Sequence, residues 1–144
     1  MMDTELVTEL VDGWLHLWNG DYDHAARIIA PDFRLHAALL DGGDGSAVED
    51  PAGLVTWIRQ TRAAIPDLRF TIEVGPVIGQ DHITLRWHAA GTYGGGFPGA
   101  TAPVGAPVSF TGIDLLRVRD GLLSEYWVNS DLHVLLAQLR VVAA

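Results

Sequence analysis

The sequence predicts an α+β domain in which a curved antiparallel sheet folds over helices from the first part of the chain. Three observations carry that expectation. Apolar residues recur at helical spacing early in the chain, the period becomes alternating near residue 68, and a short helical stretch closes the sequence. Helices grouped before a run of strands favour segregated layers over alternating strand and helix. With 144 residues and no internal repeat, low-complexity segment or linker, residues 1–144 read as a single domain with one core.

The first element is "DTELVTELVDGWLHLWNGD". Leu6, Val7, Leu10, Val11, Trp14, Leu17 and Trp18 fall on one helical face, and Asn19-Gly20 is a normal exit. "YDHAARIIAPD" predicts a second short helix ended by Pro31, and "FRLHA" a short strand. The polar "LLDGGDGSAVED" is a loop, after which Asp50 caps a third helix with Pro51 at its first position and an end before Pro66. "LRFTIEVGP" then alternates, with Leu68, Phe70, Ile72 and Val74 on one face. "HITLRWHAAGTY" is a long strand, followed by the loop "GGGFPGATAPVGAP". "SFTGIDLLRVRDG" and "LLSEYWVNS" are strands joined by the tight turn "RDG", and Ser130 is placed to cap a last helix, "DLHVLLAQL".

Composition narrows the function. Apolar residues make up 49% and charged residues 19%, the balance of a globular protein. No apolar run approaches the roughly 18 residues of a membrane span. The acidic start "MMDTELVTEL" does not read as a signal peptide, so a cytoplasmic location is expected. Cysteine is absent, which removes disulfides, thiolate nucleophiles and thiolate metal ligands. A net charge of -9 argues against nucleic acid and against anionic membrane surfaces. Six histidines are scattered, with no pair at ligand spacing beside a carboxylate, so no metal site is expected. No serine stands in a G-x-S-x-G elbow, and "GTYGGGFPG" neither follows a dinucleotide fingerprint nor opens a helix.

One residue in the "SFTGIDLLRVRDG" strand breaks its pattern. Val108, Phe110, Gly112, Asp114, Leu116 and Val118 share a face, opposite Ser109, Thr111, Ile113, Leu115, Arg117 and Arg119. The face without arginine is the better core face, and it carries a carboxylate. Burying that group is costly unless it is paired, hydrogen-bonded or neutral. Two readings account for Asp114: an ion pair with Arg86 or Arg117 on a solvated face, or a carboxyl at the floor of a pocket. The pattern of its own strand favours the pocket. Trp14, Trp18, Trp57, Trp87 and Trp127 are many tryptophans for this length. They read singly as core and together as walls for a flat hydrophobic ligand. Asp50 and Asp131 read as helix-terminus residues.

The chain resembles the SnoaL-like polyketide cyclases, within the superfamily of ketosteroid isomerase and the nuclear transport factors. The likeness runs through "WNGD", "APDFRLH", "IPDL", "LRWHAAGTYGGGFPG", "GIDLLRVRDG", "EYW" and "LLAQL", in that order along nearly the whole chain. It implies a cone-shaped, cystatin-like α+β barrel with a deep apolar pocket, no metal or organic cofactor, and a homodimer or higher homo-oligomer. Asp114 falls where the isomerase has the aspartic acid of its oxyanion hole, and Trp14 where it has a hydrogen-bonding tyrosine. The isomerase's basic aspartate falls at or beside Ala37, which makes His36 the nearest substitute base. Aldol-cyclising members carry an acid/base aspartate on the last strand. Val128 stands at that position here, leaving Tyr126, on the same face, as the polar group.

The resemblance thus implies Asp114, His36 and Tyr126 as catalytic groups, with Trp14, Trp57, Trp87, Tyr93, Phe97, Phe110 and Val128 around a hydrophobic substrate. The expected activity is acid/base cyclisation or isomerisation of a polyketide-like or polycyclic molecule. The alternatives are opening of an epoxide, binding of a small ligand without turnover, and an interaction module built on the outer sheet face.

Overall fold

In the computed structural model, which describes residues 2–142, the helix α1 spans Thr4–Trp18. Asp3 caps it by accepting the Glu5 N–H, and its apolar stripe buries Val7, Leu10, Val11, Trp14, Leu17 and Trp18. Asn19 ends the helix and fastens it to the sheet: its side-chain amide accepts the Phe70 N–H at 2.7 Å and donates to the Phe70 carbonyl at 3.1 Å. A 3-10 turn at Tyr22–His24 and the short α2, Ala25–Ile28, lead into β1, Ile29–Ala37.

The strand therefore starts before Pro31 rather than after it. The pairing register shifts between Ile29 and Arg34, and a proline without an N–H is tolerated at such an irregularity on an edge strand. The turn after α1 also gathers His16, Asp21 and His24, a cluster that the scattered histidines of the sequence did not suggest.

Helix α3 runs Pro51–Arg62, with the Asp50 carboxylate accepting the Gly53 N–H at 2.7 Å. Strands β2 (Arg69–Ile78), β3 (His82–Thr92), β4 (Pro107–Arg119) and β5 (Leu122–Ser130) follow, and α4 (Leu132–Gln138) closes the fold. The sheet order is β1-β5-β4-β3-β2. Pairs β2–β3, β3–β4 and β4–β5 are antiparallel, as expected, but β1 lies parallel to β5, so the sheet is mixed. A parallel neighbour requires a long crossover, which α3 and the three intervening strands supply. The β4–β5 turn takes positive φ at Asp120 (53°) and Gly121 (77°), the conformation that follows the twist of a two-residue hairpin.

Burial along β4 keeps the predicted parity: Val108, Phe110, Gly112, Asp114 and Leu116 are buried against the helices. In β2 the inward alternation stops at Ile72. Val74 is 55% exposed, because register breaks on either side of it turn the strand. Ser130 belongs to β5. Asp131 precedes α4, but its carboxylate accepts the Thr111 hydroxyl at 2.6 Å instead of a helix N–H.

Candidate active site

A cavity of about 570 Å³ opens between α1, α3, α4 and the inner face of the sheet. Its walls are mostly apolar, and Asp114 is the carboxyl on its inner surface. Arg86 binds Glu73 and Arg117 binds Glu125, each at 2.7 Å. Both pairs stand on the opposite face of the sheet, so the ion-pair reading of Asp114 fails and the pocket reading holds.

Three donors converge on Asp114. Trp14 Nε1 donates to Oδ2 at 3.0 Å, Trp87 Nε1 donates to Oδ1 at 2.8 Å, and the Tyr126 hydroxyl donates to Oδ1 at 3.0 Å. Each arrives by a separate local rule. Trp14 lies on the buried stripe of α1. Tyr126 pairs with Leu116, two residues along β4 from Asp114, and so sits on the diagonal of the ladder. Trp87 pairs with Gly112, and a Cβ on that glycine would stand 2.2 Å from the indole Cζ2. Only a residue without a side chain lets the Trp87 ring cross β4 and reach the carboxylate.

Burial pushes the Asp114 carboxyl up to about 6, and the three hydrogen bonds hold it from rising further. The group is therefore largely ionised at neutral pH in the free protein. An oxyanion-hole role such as the family resemblance implies would need a neutral acid, but the indoles can only donate, and donors favour the anion. Each carboxylate oxygen offers two acceptor positions, so one on Oδ2 has no donor among the described residues. The Tyr126 hydroxyl is pushed well above its ordinary value, first by burial and then by the adjacent carboxylate. It holds its proton across the physiological range.

The other expected residues divide. Trp57, Trp87, Phe97, Phe110 and Val128 line the cavity with Asp114 and Tyr126. Trp14 lies behind the floor, touching Asp114 and packing edge-on against Tyr126 at 4.7 Å, so it supports the carboxylate and does not wall the cavity. Tyr93 is also buried outside the lining. Its hydroxyl accepts the Phe97 N–H at 3.1 Å and so sets the loop that carries Phe97 inward.

His36 is the clearest correction. It points to the outer face, 2.6 Å from Glu125 and stacked on Trp127 at 5.0 Å, because parity on β1 turns Leu35 and Ala37 inward instead. Its ring cannot serve the cavity as a base.

Trp18, grouped with the pocket tryptophans but left out of the set around the substrate, also walls the cavity. It follows Trp14 by one helical turn and packs edge-on against Trp57 at 5.5 Å, and its buried indole N–H has no acceptor among the described residues. Gln60, Thr61, Asn129 and Ser130 add polar groups at the rim, with Asp41 on the loop after β1. The Arg62 guanidinium closes the helix side by donating to the Trp18, Pro66 and Leu68 carbonyls.

An α+β cone with one buried carboxyl at the floor of an apolar chamber defines a protein built around a small molecule. The chain belongs to the SnoaL-like polyketide cyclase family, whose pattern matches residues 8–139. Among solved structures it is similar to IdmH from Streptomyces antibioticus, provisionally described as a polyketide cyclase. That chain is 31% identical with a TM-score of 0.77, over 93% of this chain and 98% of the other. TsrD from Streptomyces laurentii is 26% identical with a TM-score of 0.79, over 99% and 100%. A protein of Acidithiobacillus ferrooxidans shares the fold with a TM-score of 0.82 at 22% identity, over 99% and 100%. No protein of curated function matches the chain. No helix among the described residues is long and apolar enough to cross a membrane.

Proposed function

We propose that the protein is a cyclase or isomerase of hydrophobic, polyketide-like or polycyclic molecules. In this reading Asp114 moves a proton at a carbon beside a carbonyl. The supporting observation is a single carboxylate, poised near 6, on the floor of an apolar cavity with an acceptor position left open. As the anion it takes the proton from carbon, leaving an enolate. As the resulting acid it returns the proton to another carbon or to the oxygen. One group that shuttles the proton suits this site, because Tyr126 keeps its proton and His36 lies outside. Trp14, Trp87 and Tyr126 act as positioning residues: their hydrogen bonds fix the carboxylate and hold its basicity in the useful range. Trp18, Trp57 and Phe110 exclude water and suit flat rings.

The test is deuterium exchange at the acidic carbon of 2-tetralone, a bicyclic ketone, followed by proton NMR. Wild type is expected to accelerate exchange, with kcat/KM rising through pH ~6 as Asp114 ionises. Asp114→Asn is expected to lower it by about 10²–10⁴-fold. Exchange unchanged in that variant, or a ketone bound with no exchange at all, removes the catalytic role.

A further inference from the structure

On the far side of α1 from the sheet, two imidazoles and a carboxylate meet, and the proposed chemistry uses none of them. We infer that His16, Asp21 and His24 form a surface site for a divalent transition-metal ion, Zn²⁺ being the species that the donor set suits. One ligand atom from each residue lies within 4.8 Å of the other two. The His16 and His24 rings stack with centroids 4.8 Å apart and planes 8° from parallel, and His24 Nε2 stands 3.1 Å from Asp21 Oδ2.

The backbone builds this arrangement. The His16 carbonyl accepts the N–H of Asp21 at 2.9 Å as well as that of Asn19, which folds the chain back beside its own helix. The His24 ring packs beside Gly13, one turn before His16, with its Nδ1 3.8 Å from where a Cβ would stand. The nitrogen turned toward the helix is thus Nδ1, while Nε2 is the one beside Asp21.

The donor chemistry selects the ion. Neutral imidazole is a borderline ligand for Zn²⁺, Cu²⁺ and Ni²⁺, whereas Ca²⁺ and Mg²⁺ require oxygen shells. Two histidines and an aspartate supply three protein ligands and leave water for the fourth. In a tetrahedral site with bonds of about 2.0–2.1 Å, donor atoms stand about 3.4 Å apart. His16 and Asp21 are exposed and His24 is half-buried, so their side chains have room to adjust toward that spacing. Bound metal would cross-link the end of α1 to the 3-10 turn, at a point fixed by the Asn19 clamp.

Isothermal titration of ZnCl₂ into chelator-treated, untagged protein, paired with thermal unfolding, tests the site. One equivalent is expected to bind and raise Tm. His16→Gln, His24→Gln and Asp21→Asn are each expected to weaken binding by about tenfold or more, on the scale that ligand-shell changes produce. His133→Gln, on α4, leaves it unchanged. Nitrogen-15 NMR reads the same contact without substitution, as Zn²⁺-induced shifts confined to the His16 and His24 rings. Absence of binding, affinity retained in His24→Gln, or shifts at the outer-face histidines instead overturns the assignment.

Discussion

Gly112 decides where the Trp87 indole lies, and through it how basic Asp114 is. With a Cβ only 2.2 Å from Cζ2, Gly112→Ala must displace the ring and break its bond to Oδ1. Overpacking of this kind costs about 1–3 kcal/mol, which urea denaturation will measure. Losing a donor also raises the carboxyl further, so any pH-rate profile shifts upward with it.

The carboxyl itself links stability to pH. Its value is 3.8 in an open chain and about 6 when folded, so between those values the native state binds more protons. Stability therefore falls as pH rises through that window and levels off above it. Asp114→Asn has no such titration, so its stability relative to wild type improves by about 2–3 kcal/mol from pH ~4 to pH ~7. An offset that is constant with pH refutes the assignment. At this scale Asp114 was legible because strand parity set a carboxylate among apolar neighbours, and Tyr126 shares the inner face on the adjacent strand. The same parity in "FRLHA" groups His36 with Arg34, outward. Strand parity, not family likeness, sets where His36 points.

Helix α4 shows what elements add beyond single residues. It has seven residues and no side-chain cap, and it brings Leu132 and Leu135 to the cavity. A helix that short is not stable by itself. It is held by Gln138, whose amide accepts the Ser109 N–H at 2.7 Å and donates to the Ser109 carbonyl at 2.9 Å, and by the Thr111–Asp131 contact. Gln138→Ala is expected to cost about 1 kcal/mol of global stability. It should speed amide exchange over residues 132–139 selectively and weaken ketone binding at the cavity. Uniform exchange throughout the chain would mean that α4 is part of the cooperative core instead. Elements with strong periodicity, α1, α3 and β4, could be read directly from the chain. The parallel β1 could not, because the direction of an edge strand is fixed by which sheet edge lies open when it docks. Nothing local to "FRLHA" records that.

For the whole molecule, the outer face of the sheet remains. Ile113 is 44% exposed on β4, with half-buried Leu115 and Trp127 beside it on β4 and β5, and Val74 and Val77 are exposed on β2 across β3. Around these lie Arg86–Glu73, Arg117–Glu125 and His36–Glu125, so charges of both signs frame the apolar centre. Such a face can meet a copy of itself across a two-fold axis, each arginine facing the partner's carboxylates. Apolar side chains left exposed on one sheet face favour association. The net charge of -9 works against pairing, so the dimer is expected to tighten as salt screens that repulsion. Sedimentation velocity at micromolar concentration is expected to give twice the 15.6 kDa of one chain. Ile113→Glu, on the face away from the cavity, should return it to one. A monomer in wild type at every salt concentration, or a dimer untouched by Ile113→Glu, places association elsewhere and leaves this face to solvent.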